Sequence, residues 1–253
     1  MDLKILRTRV GLAIVNAAVD DDVIGLVLMS VSFALAIKGM ILHEALFMPL
    51  FSSIAFITFG FVISRYVSKH TEIRLIVDRY LKSTSSRLAL AITLAFAFGL
   101  LAKIASLHEI IGVFIAGMLL RGLLTWKVES EIFDFTFAFF ALLFFSYVGV
   151  KTDLRIIAMS SDLVLAILIA AFVGKILGGF IGAKISKFSN GEALIVGVTM
   201  NGRAAVELAI ANAYYALGIF TAELFSAIVL MATVTSLTTP LLLRLVVKYV
   251  ATP

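Results

Sequence analysis

The sequence predicts an all-α, polytopic membrane protein with about eight transmembrane helices, and three observations lead there. Apolar residues make up 62% of the 253-residue chain and charged residues only 15%, against the ~25% charge of an average soluble domain. Apolar stretches recur at close to the ~20 residues needed to cross a ~30 Å hydrocarbon core. Lysine and arginine gather in alternate gaps between those stretches, the asymmetry that sets orientation in a bilayer. Lipid offers backbone groups no partner, so runs of this length must be helical.

In chain order the stretches are 10–37, 45–67, 88–105, 110–124, 135–150, 163–185, 193–216 and 224–247. The first is long and carries Asp20, Asp21 and Asp22, unlike the apolar core of a cleavable signal peptide. Between the second and third, residues 69–87 place Ile73, Ile76, Val77, Tyr80 and Leu81 at helical spacing opposite Lys69, Arg74, Asp78, Arg79 and Lys82. That pattern fits an amphipathic helix on the membrane surface, with a solvated cytoplasmic loop as the alternative. Gly112 and Gly117 suit close helix packing, and the aromatics from Phe133 to Phe145 suit a lipid-facing or core surface.

With these spans, fifteen basic residues fall on one side of the membrane and four on the other, leaving Lys175 and Arg203 inside spans. Both ends of the chain are therefore expected in the cytoplasm, in a plasma (inner) membrane. The net charge of +5 is accounted for by the same asymmetry, so nucleic acid is not an expected partner. Without cysteine there can be no disulfide, thiolate metal site or cysteine nucleophile. Neither the Gly-x-Gly-Asp segment of intramembrane aspartyl proteases nor a His-Glu-x-x-His metal motif occurs. No enzymatic activity and no cofactor are expected.

Chemistry is expected where charge enters the bilayer. A charge at mid-membrane costs ~2.5 to 3.5 kcal/mol on insertion scales, so three adjacent carboxylates need a reason. Counted from Val10, Asp20 to Asp22 lie ~15 to 18 Å along a helix, near the bilayer centre. Residues 10–19 are too few to span, which disfavours a loop at the aspartates. Steps of 100° forbid all three one face, but two can flank a single water-filled cavity. Later spans hold Lys175, and Arg203 with Glu207 four residues on, a spacing that shares a helix face. Lys175 is too deep for easy snorkelling; Arg203 and Glu207 fit a structural ion pair as well as a transport role. Thr199, Met200, Asn201 and Gly202 make a poor continuous helix, and a break there would turn backbone groups toward an ion.

These residues resemble motifs of the sodium/proton exchanger superfamily, in its Kef-like and bacterial Na+/H+ antiporter branch. Ala17 to Gly25 is similar to the family's acidic motif, with Asp21 and Asp22 at the paired-aspartate positions and Asp20 replacing an aliphatic residue. Ser106 to Gly117 resembles its Gly-x-Phe-x-Ala-Gly span, and Phe144 to Gly149 its Phe-Phe-x-x-x-Gly. Lys175 matches the membrane lysine of electrogenic members, and Gly202 to Glu207 the arginine motif of the penultimate span.

The resemblance implies the C-terminal part of an inverted-repeat antiporter fold of roughly twelve or thirteen spans, with a broken helix near Asn201. It divides the chain into an acidic core helix (1–38), a second span with cytoplasmic linker (39–87), scaffold spans that pair two protomers (88–155) and core spans of the second repeat (156–253). It further implies a homodimer, and a separately encoded N-terminal portion, without which this chain is not expected to transport. Na+ or K+ would exchange for protons by alternating access at Asp21 and Asp22, the ligands of the transported cation. Asp20 would be an additional carboxylate, Lys175, Arg203 and Glu207 charge partners, and Met200, Asn201 and Gly202 the broken-helix backbone. The rival readings are an inactive or regulatory fragment of such a transporter, and a cation channel.

Overall fold

The computed structural model describes residues 8–38, 43–105, 107–121, 123–124, 126–202 and 205–251. Arg203 and the basic residues Lys4 and Arg7 lie outside the described residues. The elements are α1 (Arg9–Lys38), α2 (His43–Lys69), α3 (Thr71–Tyr80), α4 (Thr84–Ile104), α5 (Glu109–Leu120) and α6 (Trp126–Phe135). A π-helical turn, Thr136–Ala141, joins α6 to α7 (Leu142–Lys151). There follow α8 (Leu154–Met159), α9 (Ser161–Ile185), α10 (Asn190–Thr199), α11 (Ala205–Ala216) and α12 (Ala222–Ala251).

Each of the eight apolar stretches contains α-helix among the described residues. Among the described residues, five helices are long and apolar enough to cross a membrane: Leu50–Lys69, Thr84–Ile104, Trp126–Lys151, Ser161–Ile185 and Ala222–Val250. The other three stretches depart from that pattern for physical reasons. Helix α1 has the length, at 30 residues, but carries the three aspartates. The fourth stretch forms only the 12-residue α5. The seventh is divided into α10 and α11 on either side of Asn201 and Gly202, where the sequence predicts a break.

The chain divides into two compact units, one of residues 1–23 and 145–253, the other of residues 24–144. In the second unit, α4 and α5 form an antiparallel hairpin closed by buried Ala102, Leu107, Ile111 and Ile115. Gly112 makes that approach possible, because a Cβ there would collide with the backbone carbonyl of Phe98. Helix α2 packs on α5, where Ser64 Oγ donates to the Met118 carbonyl at 2.8 Å. Gly117 behaves otherwise than expected: nothing lies within 4 Å of its Cβ position. It opens instead on a cavity of 420 Å³ beside Arg121 and Glu129. The aromatics at Phe133, Phe137, Phe139 and Phe140 are exposed, with Phe133 stacked on Phe137 and Phe139 meeting Phe140 edge-on, packing that suits an apolar outer surface.

In the first unit, α9, α10 and α12 pack together around Ala183, Phe188, Ala193, Ile195 and Val196, with Val10 of α1 in the same cluster. Two glycines set the α9–α10 distance: a Cβ on Gly179 would lie 2.8 Å from the Gly197 Cα, and one on Gly197 would strike the Ile176 carbonyl. Helix α10 starts in a capping box, with Ser189 Oγ accepting from the Glu192 amide at 3.3 Å and Glu192 Oε2 from the Ser189 amide at 2.9 Å. Such reciprocal bonds satisfy two otherwise orphaned donors. After α11, Gly218 at φ +70° turns the chain, a conformation only glycine adopts cheaply.

Candidate functional site

The site is built from α1, α9 and the break between α10 and α11. Lys175 stands one turn before Gly179 on α9, so the glycine contact that draws α9 against α10 also fixes where the lysine emerges. Its Nζ donates to Asp21 Oδ1 in an ion pair, with 19% of the lysine side chain and 42% of the aspartate side chain exposed. Lys175 therefore meets an aspartate on a neighbouring helix rather than snorkelling to the surface.

A cavity of 240 Å³ opens beside this pair. Asp21 and Asp22 line it from α1, Thr199, Met200 and Gly202 from the break, and Ala205, Val206 and Glu207 from the first turn of α11. Asp20 is not among the lining residues and is exposed. Two of the three adjacent aspartates thus share one cavity, as steps of 100° allow.

Helix α10 closes in tight turns: the Met200 amide donates to Val196 O at 2.9 Å, Asn201 to Val198 O at 3.2 Å and Gly202 to Thr199 O at 3.2 Å. Those three donors are committed to α10 and are not turned toward the cavity. Asn201 points away from the cavity. It is fully buried, and its Nδ2 donates to Thr239 Oγ1 of α12 at 3.3 Å. Gly202 lies close to the same threonine, its Cβ position 3.3 Å from Thr239 Cγ2. Asn201 and Thr239 therefore pin the break to α12. Glu207 in the first turn of α11 offsets the positive end of that short helix.

The charges decide what the cavity suits. Pairing offsets the Asp21 charge with Lys175, and Asp22 and Glu207 add two further carboxylates to the same lining. Among the described residues no three acidic or histidine side chains converge as potential metal ligands. Three carboxylates in the lining that do not converge on one point, one of them already compensated by Lys175, suit a monovalent cation or a proton better than a divalent ion, which takes 6–8 oxygen ligands when it is calcium.

Thr239 and the Gly179–Gly197 contact escaped sequence reasoning, although the run of glycines along α9, at 174, 178, 179 and 182, is a signal of close helix packing.

These features define a multi-pass, α-helical membrane protein with an acidic cavity at a helix break. The profile of the family described as sodium/hydrogen exchanger, transmembrane, matches residues 1–248; the chain belongs to that family. It is 26% identical over 253 residues to a Na+/H+ antiporter of Enterococcus hirae, covering 98% of this chain and 64% of that protein. It is 27% identical to a Na+/H+-K+ antiporter of Bacillus cereus, covering 96% of this chain and 62% of the relative. With a high-affinity Na+/H+ antiporter of Synechocystis the identity is 30%, over 97% of this chain and 53% of the relative. The chain thus spans less than two thirds of the length of these relatives, which are transporters rather than enzymes.

Proposed function

We propose that the chain carries the ion site of a monovalent cation:proton antiporter, exchanging Na+ or K+ for protons by alternating access at Asp21 and Asp22. The observation that carries this reading is the convergence of both aspartates, the Lys175 counter-charge and the helix break on one 240 Å³ cavity. The names of the relatives support it, since they include Na+/H+ and Na+/H+-K+ antiporters.

In this mechanism Asp22 is the carrier. A carboxylate can hold a proton or pair with a cation, and the two exclude each other, so emptying one makes room for the other. Lys175 holds Asp21 in place and offsets its charge in the cavity. A cation in the cavity removes the cost of the Asp22 charge, and the loaded site can then face the opposite side. The basic residues favour a plasma-membrane orientation with cytoplasmic ends, and by resemblance the scaffold spans pair two protomers.

Asp22→Asn in the transporter should abolish cation-dependent proton flux in proteoliposomes while leaving insertion intact, and Asp21→Asn should be milder. Undiminished exchange by Asp22→Asn would sink the assignment. Flux that saturates and stays coupled to protons separates exchange from a channel.

A further inference from the structure

Helix α3 is amphipathic and has no buried residue. Ile73, Ile76, Val77 and Tyr80 form one face, with Ile76 57% and Tyr80 76% exposed. At 100° per residue Leu75 falls on the opposite, polar face. None of the four apolar-face residues is buried, and Ile76 and Tyr80 are largely open.

What covers this face follows from its neighbours. Helix α2 crosses the membrane as far as Lys69 and α4 re-enters at Thr84. The ten residues of α3 are thus confined to the level where both helices leave the hydrocarbon. The turn into α4 is held by Arg87, whose Nε donates to the Leu81 carbonyl and whose Nη2 donates to Asp78 Oδ1, each at 2.8 Å. That bond also neutralises the acidic residue in the middle of the polar face. Glu72 then remains against Lys69, Arg74, Arg79 and Lys82, all exposed. An apolar face at headgroup depth and a basic excess flanking it are complementary to anionic phospholipid.

We propose that α3 docks on the anionic lipid surface of the membrane its neighbours cross, with Arg87 acting as the hook that consumes Asp78 and leaves the helix net basic. This is independent of the antiport reading and is tested without transport. The whole protein, with its single Trp126 replaced by Phe, is reconstituted in vesicles of brominated phosphatidylcholine with or without brominated phosphatidylglycerol. Tryptophan is introduced as Ile76→Trp or, as the opposite-face control, Leu75→Trp; Val77→Trp serves if Ile76→Trp does not fold.

The apolar-face tryptophan should be quenched by the brominated chains several-fold more than Leu75→Trp, and less in vesicles lacking phosphatidylglycerol. Arg74→Gln with Arg79→Gln should weaken docking, roughly fivefold per charge removed. Equal quenching on both faces would overturn the proposal. So would apolar-face quenching indifferent to phosphatidylglycerol and to the arginines, or an unquenched face that cross-links to a second copy.

Discussion

Lys175 and Asp21 show how one residue's burial becomes another's problem. Removing one partner of a buried pair costs about 3–5 kcal/mol. The 42% exposure of the Asp21 side chain discounts this toward the ~1 kcal/mol of a solvent-exposed pair. Lys175→Ala should therefore destabilise the detergent-solubilised protein by about 2 kcal/mol. Adding Asp21→Asn should recover much of the loss, because the two charges are coupled. A double mutant whose thermal stability is the plain sum of the single effects would mean that no working pair exists. The pair itself was half legible: the type and depth of each charge are written in the chain, but the choice of Asp21 over its two neighbours depends on where α9 packs.

At the scale of elements, the start of α5 is sensitive to pH. His108 Nδ1 accepts from the Ile110 amide at 3.3 Å, and the ring meets Phe33 edge-on at 5.6 Å. Burial, outweighing the opposing charge of Glu109, holds the imidazole pKa below its ordinary 6.5. The folded state therefore prefers the neutral ring, and its stabilising effect is complete above about 6.5 and is lost as pH falls through the lower folded value. Once protonated, Nδ1 can no longer accept. Amide exchange at Ile110 and Ile111 should quicken below that pH, and His108→Asn, which keeps an acceptor at the cap, should abolish the effect. Exchange rates unchanged through the transition would refute the cap. Gly112→Ala tests the next turn, since a Cβ meets the Phe98 backbone, which cannot swing aside as a side chain can. It should cost on the order of 1–3 kcal/mol, read as a lower unfolding temperature, whereas Gly117→Ala, in open space, should be near neutral. The two glycines look alike in sequence because their difference is made by α4.

For the molecule as a whole, the absence of cysteine makes orientation directly measurable. Single substitutions Lys69→Cys and Lys248→Cys should react with an impermeant thiol reagent only from the cytoplasmic side, and Lys103→Cys and Arg155→Cys only from outside. The reverse pattern would overturn the charge-based orientation. The helicity of the apolar stretches was readable because lipid leaves the backbone no other partner, and among the described residues five of them form helices long and apolar enough to cross a membrane. The helix break was readable because Asn201 and Gly202 are locally poor helix formers. Other features had no local signature. The unbroken passage through α6 and α7 begins in the charged segment around Glu129, Glu131 and Asp134, which hydropathy does not count as membrane. The Asn201 to Thr239 bond joins residues 38 apart in the chain, and no pattern along either helix announces it.

The π-helical turn at Thr136–Ala141 bears on how this helix tolerates changes in length. A π turn accommodates one residue more than an α turn over the same rise. Deleting Ala138 should therefore convert the turn to α-helix while the residues on either side keep the faces they now present. A deletion at Leu142, beyond the wide turn, should instead rotate the following residues by about 100°. Insertions and deletions among related chains would be expected to gather at this one turn, where the helix already holds the slack.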